Sequence, residues 1–157
     1  MTSTQQETPA PTPALPIGQA VGQAEATLTK LLNIALAGRG VTRQAYLGLQ
    51  RLNALGGHAT REEYEHDLRN WLELDAAAAS GLARELISAG FAAGNGDGIR
   101  LTESGQALRA AILADGRQVT GPVLAAIDPA DLNTTIRTLD EITRRLRDIP
   151  TREEPAS

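Results

Sequence analysis

The most constraining stretch of this chain is residues 60–102, where helix caps, glycines and turn residues follow one another too closely for many arrangements. Thr60-Arg61-Glu62-Glu63 fits a capping box, with a hydroxyl at the cap and a carboxylate three residues on. Tyr64, Leu68, Trp71 and Leu72 follow at helical spacing and are expected to face inward. Only Glu73-Leu74 separates this helix from the next, which starts at Asp75, carries Leu82, Leu86 and Ile87, and stops at Gly90. Phe91-Ala92-Ala93 and Ile99-Arg100-Leu101 are short enough to be strands, and Gly94-Asn95-Gly96-Asp97-Gly98 between them is strong turn chemistry. Two helices with a tight connection followed by a two-stranded hairpin make a helix-turn-helix with a wing.

The flanks are helical. A first helix runs from about Gly18 to Ala37, with Val21, Leu28, Leu31, Leu32, Ala35 and Leu36 on one broad face, and ends at Gly38 and Gly40. Thr42 caps a second, with Val41 and Tyr46 spaced as a hydrophobic staple and Gly56-Gly57 as its stop. Thr102 caps a fifth. Gly116 and Pro122 interrupt it, so a kink or break is expected near 117–122. Asp128-Pro129 opens a sixth, with the cap residue followed by proline at the first helical position. In that helix Leu132, Ile136, Leu139, Ile142, Leu146 and Ile149 recur at intervals of 4, 3, 3, 4 and 3, close to a 3.5-residue seam. Asp140 with Arg144, and Glu141 with Arg145, are expected to pair along its surface. Such a stripe can lie on its own core or against a second subunit. The second is preferred, because the first helix carries a similar stripe and one body of about 130 residues has limited core to serve both.

The expected fold is therefore mainly α with a small β-hairpin wing: a winged helix-turn-helix of six helices over residues 18–149. Residues 1–17, with four prolines, and residues 150–157 read as disordered tails. Without cysteine there is no disulfide, thiol nucleophile or thiolate zinc site. No signal-peptide pattern and no apolar run long enough to span a bilayer is seen, so a cytoplasmic protein without a membrane partner is expected. No Ser/His/Asp grouping or phosphate loop points to an enzyme, and no cofactor is expected. His58, Glu62, Glu65 and His66 form only a weak metal set and read as exposed or capping residues. Tyr46 and Trp71 could line an effector pocket, but so few aromatics are better spent in the core.

The order of elements resembles the MarR family of dimeric bacterial transcription regulators. The residues that carry the likeness are Gly40-Val41-Thr42, Leu72-Glu73-Leu74-Asp75, Leu86-Ile87-Ser88-Ala89-Gly90-Phe91, Ile99-Arg100-Leu101-Thr102-Glu103-Ser104-Gly105 and Asp128-Pro129-Ala130-Asp131-Leu132. The resemblance covers about residues 20–149. It implies a homodimer built from the first, fifth and sixth helices, with Leu132, Ile136, Leu139, Ile142 and Leu146 at the seam. It also implies that residues 75–89 enter the major groove of a pseudo-palindromic operator in double-stranded DNA, with the wing on the backbone or minor groove. Release by a small-molecule effector, often an aromatic acid, belongs to the same picture. Candidate DNA-binding residues are then Arg39, Arg43, Thr60, Arg61, Ala76, Ala77, Ser80, Arg84, Asn95 and Arg100.

Two departures weigh against strong DNA binding. The recognition helix opens Asp75-Ala76-Ala77-Ala78-Ala79-Ser80-Gly81, with alanines in place of hydrogen-bonding side chains and Gly81 where the family usually has arginine. Across residues 39–101, seven arginines meet eight acids, and the whole chain is at −4. DNA affinity comes largely from neutralised phosphates, so binding is expected to be weak or strongly salt-sensitive. The alternative is a MarR-like dimer that has weakened or lost operator binding and acts through a protein partner or ligand.

Overall fold

The computed structural model describes residues 16–150. The order is α1 (Ile17–Ala37), α2 (Arg43–Ala54), β1 (His58–Thr60), α3 (Arg61–Leu72), α4 (Ala76–Ser88), β2 (Ala92–Asn95), β3 (Gly98–Leu101), α5 (Glu103–Ala125) and α6 (Pro129–Arg147). The six helices and the small wing are those read from the sequence. Helix α1 begins at Ile17, inside the stretch assigned to the N-terminal tail, with Pro16 before it. The remainder of both expected tails lies outside the described residues.

The caps are where local chemistry put them. Thr42 Oγ1 accepts from the Ala45 amide at 3.1 Å. Thr60 and Glu63 close the reciprocal box, with Oγ1 accepting from Glu63 N at 3.1 Å and the Glu63 carboxylate from Thr60 N at 2.9 Å. That bond holds the Glu63 carboxyl below its usual range. Asp75 accepts from Ala78 N at 2.7 Å, and Asp128 from Ala130 N at 2.7 Å.

The chain divides into two units, one ending at Arg109 and one starting at Ala110. In the first, α2, α3 and α4 bury Ala45, Leu49, Leu52, Tyr64, Leu68, Ala79, Leu82, Ala83 and Leu86, and the sheet adds Ala92 and Ile99. The Tyr64 hydroxyl donates to the Gly48 carbonyl at 2.8 Å inside this core. In the second unit, α6 buries no residue, and Ile136 and Leu146 are 57% and 61% exposed.

Four expectations are corrected. The wing has three strands in the order β1-β3-β2, because His58–Thr60 pairs antiparallel with Gly98–Arg100. Three residues are too few to show a period, and this strand exists only through its partner. Helix α5 does not break at Pro122 but continues to Ala125. Pro122 lacks the amide that would bond to the Gln118 carbonyl, yet the helix runs on for the three residues after it. Arg144 pairs with Glu141, which also binds Arg145 at 2.5 Å, and not with Asp140. Trp71 does not face inward: it is 43% exposed. The buried part of α3 ends at Leu68, and the Trp71 ring lies 4.2 Å from the Arg51 guanidinium. Asp67 fixes that guanidinium through two bonds of 2.8 Å.

Burial raises the Tyr64 phenol well above its ordinary value, the Asp67 carboxylate adds to the rise, and Arg61 opposes it. The unfolded chain therefore ionises first, near pH 10, and the fold loses stability as pH rises beyond that point. The limiting slope is about 1.4 kcal/mol per pH unit for this one group. Tyr64→Phe is expected to flatten the alkaline limb in urea unfolding compared at pH 8 and pH 10.5. At neutral pH the lost hydrogen bond costs about 1 kcal/mol. A limb unchanged in Tyr64→Phe would assign it to other groups.

Candidate nucleic-acid interface

Helix α4 has one face in the core and one bare. Ala79, Leu82, Ala83 and Leu86 point inward. At 100° per residue the opposite line runs through Ala77, Gly81, Arg84 and Ser88, spaced 4, 3 and 4. Ala76, Ala77, Ala78, Arg84 and Ser88 are exposed, whereas Ser80 and Gly81 are half-buried.

Arg61, on the first turn of α3, ties α4 to α3. Its Nε donates to Glu65 at 2.6 Å and its terminal nitrogen to the Ser80 carbonyl at 3.3 Å. Two of the residues chosen from sequence, Arg61 and Ser80, are thus brought together. The Arg61 amide donates to the Asp97 carbonyl in the wing turn at 2.6 Å. Through this bond and the β1–β3 pairing, Thr60, Arg61, Asn95 and Arg100 belong to one sheet and its edge. Asn95 and Arg100 are exposed. Thr60 is spent on its cap.

The cations divide. Arg43 pairs with Glu25 of α1 at 3.2 Å, and Arg39 lies in the turn that ends α1, its amide donating to the Leu36 carbonyl at 2.9 Å. Arg61 is held by Glu65. Among the described residues, Arg84 and Arg100 have no ion-pair or hydrogen-bond partner. Exposed pairs contribute about 0–1 kcal/mol each, so Arg43 and Arg61 can exchange a carboxylate for a phosphate at modest cost.

Sequence reasoning missed the Arg51–Asp67–Trp71 stack. A cleft of about 460 Å³ beside it is lined by Arg43, Gln44, Leu47, Trp71, Leu72 and Glu73. Glu73 closes α3 with φ 54°, the one non-glycine residue in the left-handed region among those described. Tyr46 is buried, and its hydroxyl accepts from Gln50 at 2.8 Å. Of the two aromatics considered for an effector pocket, only Trp71 lines this cleft. No helix among the described residues is long and apolar enough to cross a membrane.

A three-helix core with a bare third helix and a three-stranded wing defines the winged helix-turn-helix class. Neither a protein-family model nor a curated protein matches the sequence. Solved structures do match. A MarR family protein from Bacillus stearothermophilus aligns with TM-score 0.69 and 18% identity over 84% of this chain and 94% of that one. CouR from Rhodococcus jostii RHA1, bound to p-coumaroyl-CoA, gives TM-score 0.64 and 21% identity over 88% and 95%. Bordetella bronchiseptica BpsR, whose DNA binding is regulated by 6-hydroxynicotinic acid, gives 0.60 and 18% over 84% and 99%. The chain has the MarR-type winged-helix fold.

Proposed function

We propose that this protein is a homodimeric DNA-binding transcription regulator, most simply a repressor, released by a small-molecule effector. The observation that carries the reading is the bare face of α4, opposite a packed inner face, with Arg84, unpaired among the described residues, upon it. A helix with such a face can enter a major groove while the wing, with Arg100, lies against the backbone. Two copies are needed to hold two recognition helices about one helical turn, roughly 34 Å, apart. The exposed stripe of α6, centred on Ile136 and Leu146, is the surface proposed to join them. CouR and BpsR support an effector by analogy of fold alone.

The ion pairs of Arg43 and Arg61 favour a second reading, in which operator binding has been weakened and a protein partner or ligand takes its place. Gel shifts on DNA upstream of its own gene, at low and at physiological salt, separate the two. The first reading expects a complex that weakens steeply with salt. Arg84→Ala is expected to weaken it, lowering the salt slope by about 0.9 if the side chain meets a phosphate. Absence of any salt-sensitive complex at either concentration would favour the second reading.

A further inference from the structure

The cleft between the start of α2 and the end of α3 plays no part in the contact with DNA outlined above. It holds about 460 Å³, and its walls are Arg43, Gln44, Leu47, Trp71, Leu72 and Glu73. Concave sites of this size take small molecules, with apolar walls for the body and a few polar groups to orient it. Leu47 and Leu72 are half-buried and Trp71 is 43% exposed, so these three offer a guest an apolar wall. Beneath the cleft, Leu49 and Leu52 of α2 pack in one core with Tyr64 and Leu68 of α3, so its two sides are held in place before any ligand arrives.

Glu73 is the unusual member of this set. It closes α3 with φ 54° and ψ 37°, in the left-handed region. The other described residues with positive φ are all glycine: Gly40, Gly56, Gly57, Gly90 and Gly96. A β-carbon is strained in that region, and a helix end of this kind usually takes glycine or asparagine. Glutamate here costs stability, and what it offers that glycine does not is its side chain. That side chain is exposed, and its carboxylate has no ion-pair or hydrogen-bond partner among the described residues.

The charges around the cleft decide what kind of guest it suits. Arg43 is paired with Glu25 at 3.2 Å. Arg51, 4.2 Å from the centre of the Trp71 ring, gives two bonds of 2.8 Å to Asp67. The Glu73 carboxylate is left over, and the Gln44 carboxamide oxygen beside it can accept a further bond. An anion would have to take Arg43 from Glu25 and lie near Glu73. A cation meets the unspent carboxylate and displaces nothing. We propose that this cleft is a ligand site for an organic ammonium with an apolar body, the body lying against Leu47, Leu72 and Trp71 and the ammonium on Glu73. As the effector of the regulator proposed above, this ligand rests on that reading; its binding does not. Glu73 and Leu74 alone join α3 to Asp75, the cap of α4, so a guest held by Glu73 acts on the turn that aims α4.

Trp71 is the only tryptophan in the chain, so its fluorescence reports on this cleft without a label. The full-length protein is titrated with phenylbutylamine, phenylbutanol and phenylbutyrate, which share a ring and differ in charge. At neutral pH the amine is expected to change the Trp71 emission saturably and to bind about fivefold more tightly than the alcohol, with the butyrate weaker than either. Fivefold is about 1 kcal/mol, the upper end for an exposed ion pair. Glu73→Gln keeps the length of the side chain and the strained backbone but not the charge, and is expected to bring the amine down to the alcohol. Glu73→Gly is expected to lose the same preference while its Tm rises by about 2–4 °C, because the left-handed backbone is no longer strained.

No saturable change with the amine, equal affinities for the three compounds, a preference for the butyrate, or an amine preference that survives Glu73→Gln would each overturn the proposal, and none of them bears on DNA binding. In the gel shift described above, phenylbutylamine is expected to weaken the complex, and Glu73→Gln to need about five times as much of it. A complex that forms but ignores the amine would remove the cleft as an effector site. Failure of any complex to form would sink the DNA-binding reading and leave the fluorescence result standing.

Discussion

Gly105→Ala is expected to destabilise the fold by about 3 kcal/mol, at the upper end of what overpacking costs. Gly105 is buried in the first turn of α5, where the helix passes over the end of the preceding turn. A β-carbon would fall on the carbonyl oxygen of Phe91, lie 2.9 Å from its carbonyl carbon, and approach Leu101 Cδ1 at 3.0 Å. The first two contacts are with backbone, which cannot step aside as a flexible side chain could. That carbonyl is also occupied, accepting from the Thr102 amide at 3.1 Å. Thr102 in turn donates its hydroxyl to the Gly90 carbonyl at 2.6 Å and accepts from the Gly105 amide at 3.1 Å. Moving the helix start away therefore strains the junction between α4, the wing and α5 at several bonds at once. The expected Tm loss is about 6–12 °C, read by circular dichroism. A loss below 2 °C would mean that the junction relaxes, and that glycine in the Leu101-Thr102-Glu103-Ser104-Gly105 run has some other cause.

Ile136→Asp together with Leu146→Asp is expected to convert a dimer to a folded monomer. Both side chains are more than half exposed in the single chain, so replacing them removes little of its own core. In a two-fold interface each substitution occurs twice, which places four carboxylates in an apolar seam. Charges left unpaired there cost several kcal/mol apiece, enough to raise the dissociation constant by well over a hundredfold. Light scattering coupled to size exclusion reads the mass, and circular dichroism the retained helix. A variant with the mass of the parent would remove α6 as the subunit seam. A parent that is itself monomeric would remove the dimer.

Much of the fold was legible in advance because its signals are short-range. Thr42, Thr60, Asp75 and Asp128 announced four helix starts through side chains that reach an amide two or three residues away. The Gly94–Gly98 run marked the place of the wing turn in the same way, although Gly94, Asn95 and Gly98 belong to the strands and only Gly96 and Asp97 lie between them. Two of the misses were local, the passage of α5 through Pro122 and the choice of Glu141 by Arg144, and the others depended on a partner distant in sequence. Strand β1 has no period of its own and is called into being by Gly98–Arg100. Trp71 has inward spacing, but Leu68 and Leu72 on either side of it take the places against the core, and Arg51 from α2 covers the exposed ring instead. For the candidate interface, the choice of Arg84 could be made from its place on the helical wheel. That Arg61 is held by Glu65 and by the Ser80 carbonyl could not, since many rotamers of so long a side chain suit the same sequence.

By itself, then, the sequence determined the helices, their caps, the turn of the wing and the apolar stripe of α6, all written within a few residues of where they act. Only the tertiary structure decided which arginines are tied up, that the wing has a third strand, and that Gly105 is forced. Those outcomes turn on distances between residues far apart in the chain, and burial and pairing acquire their energies only once such residues are in contact.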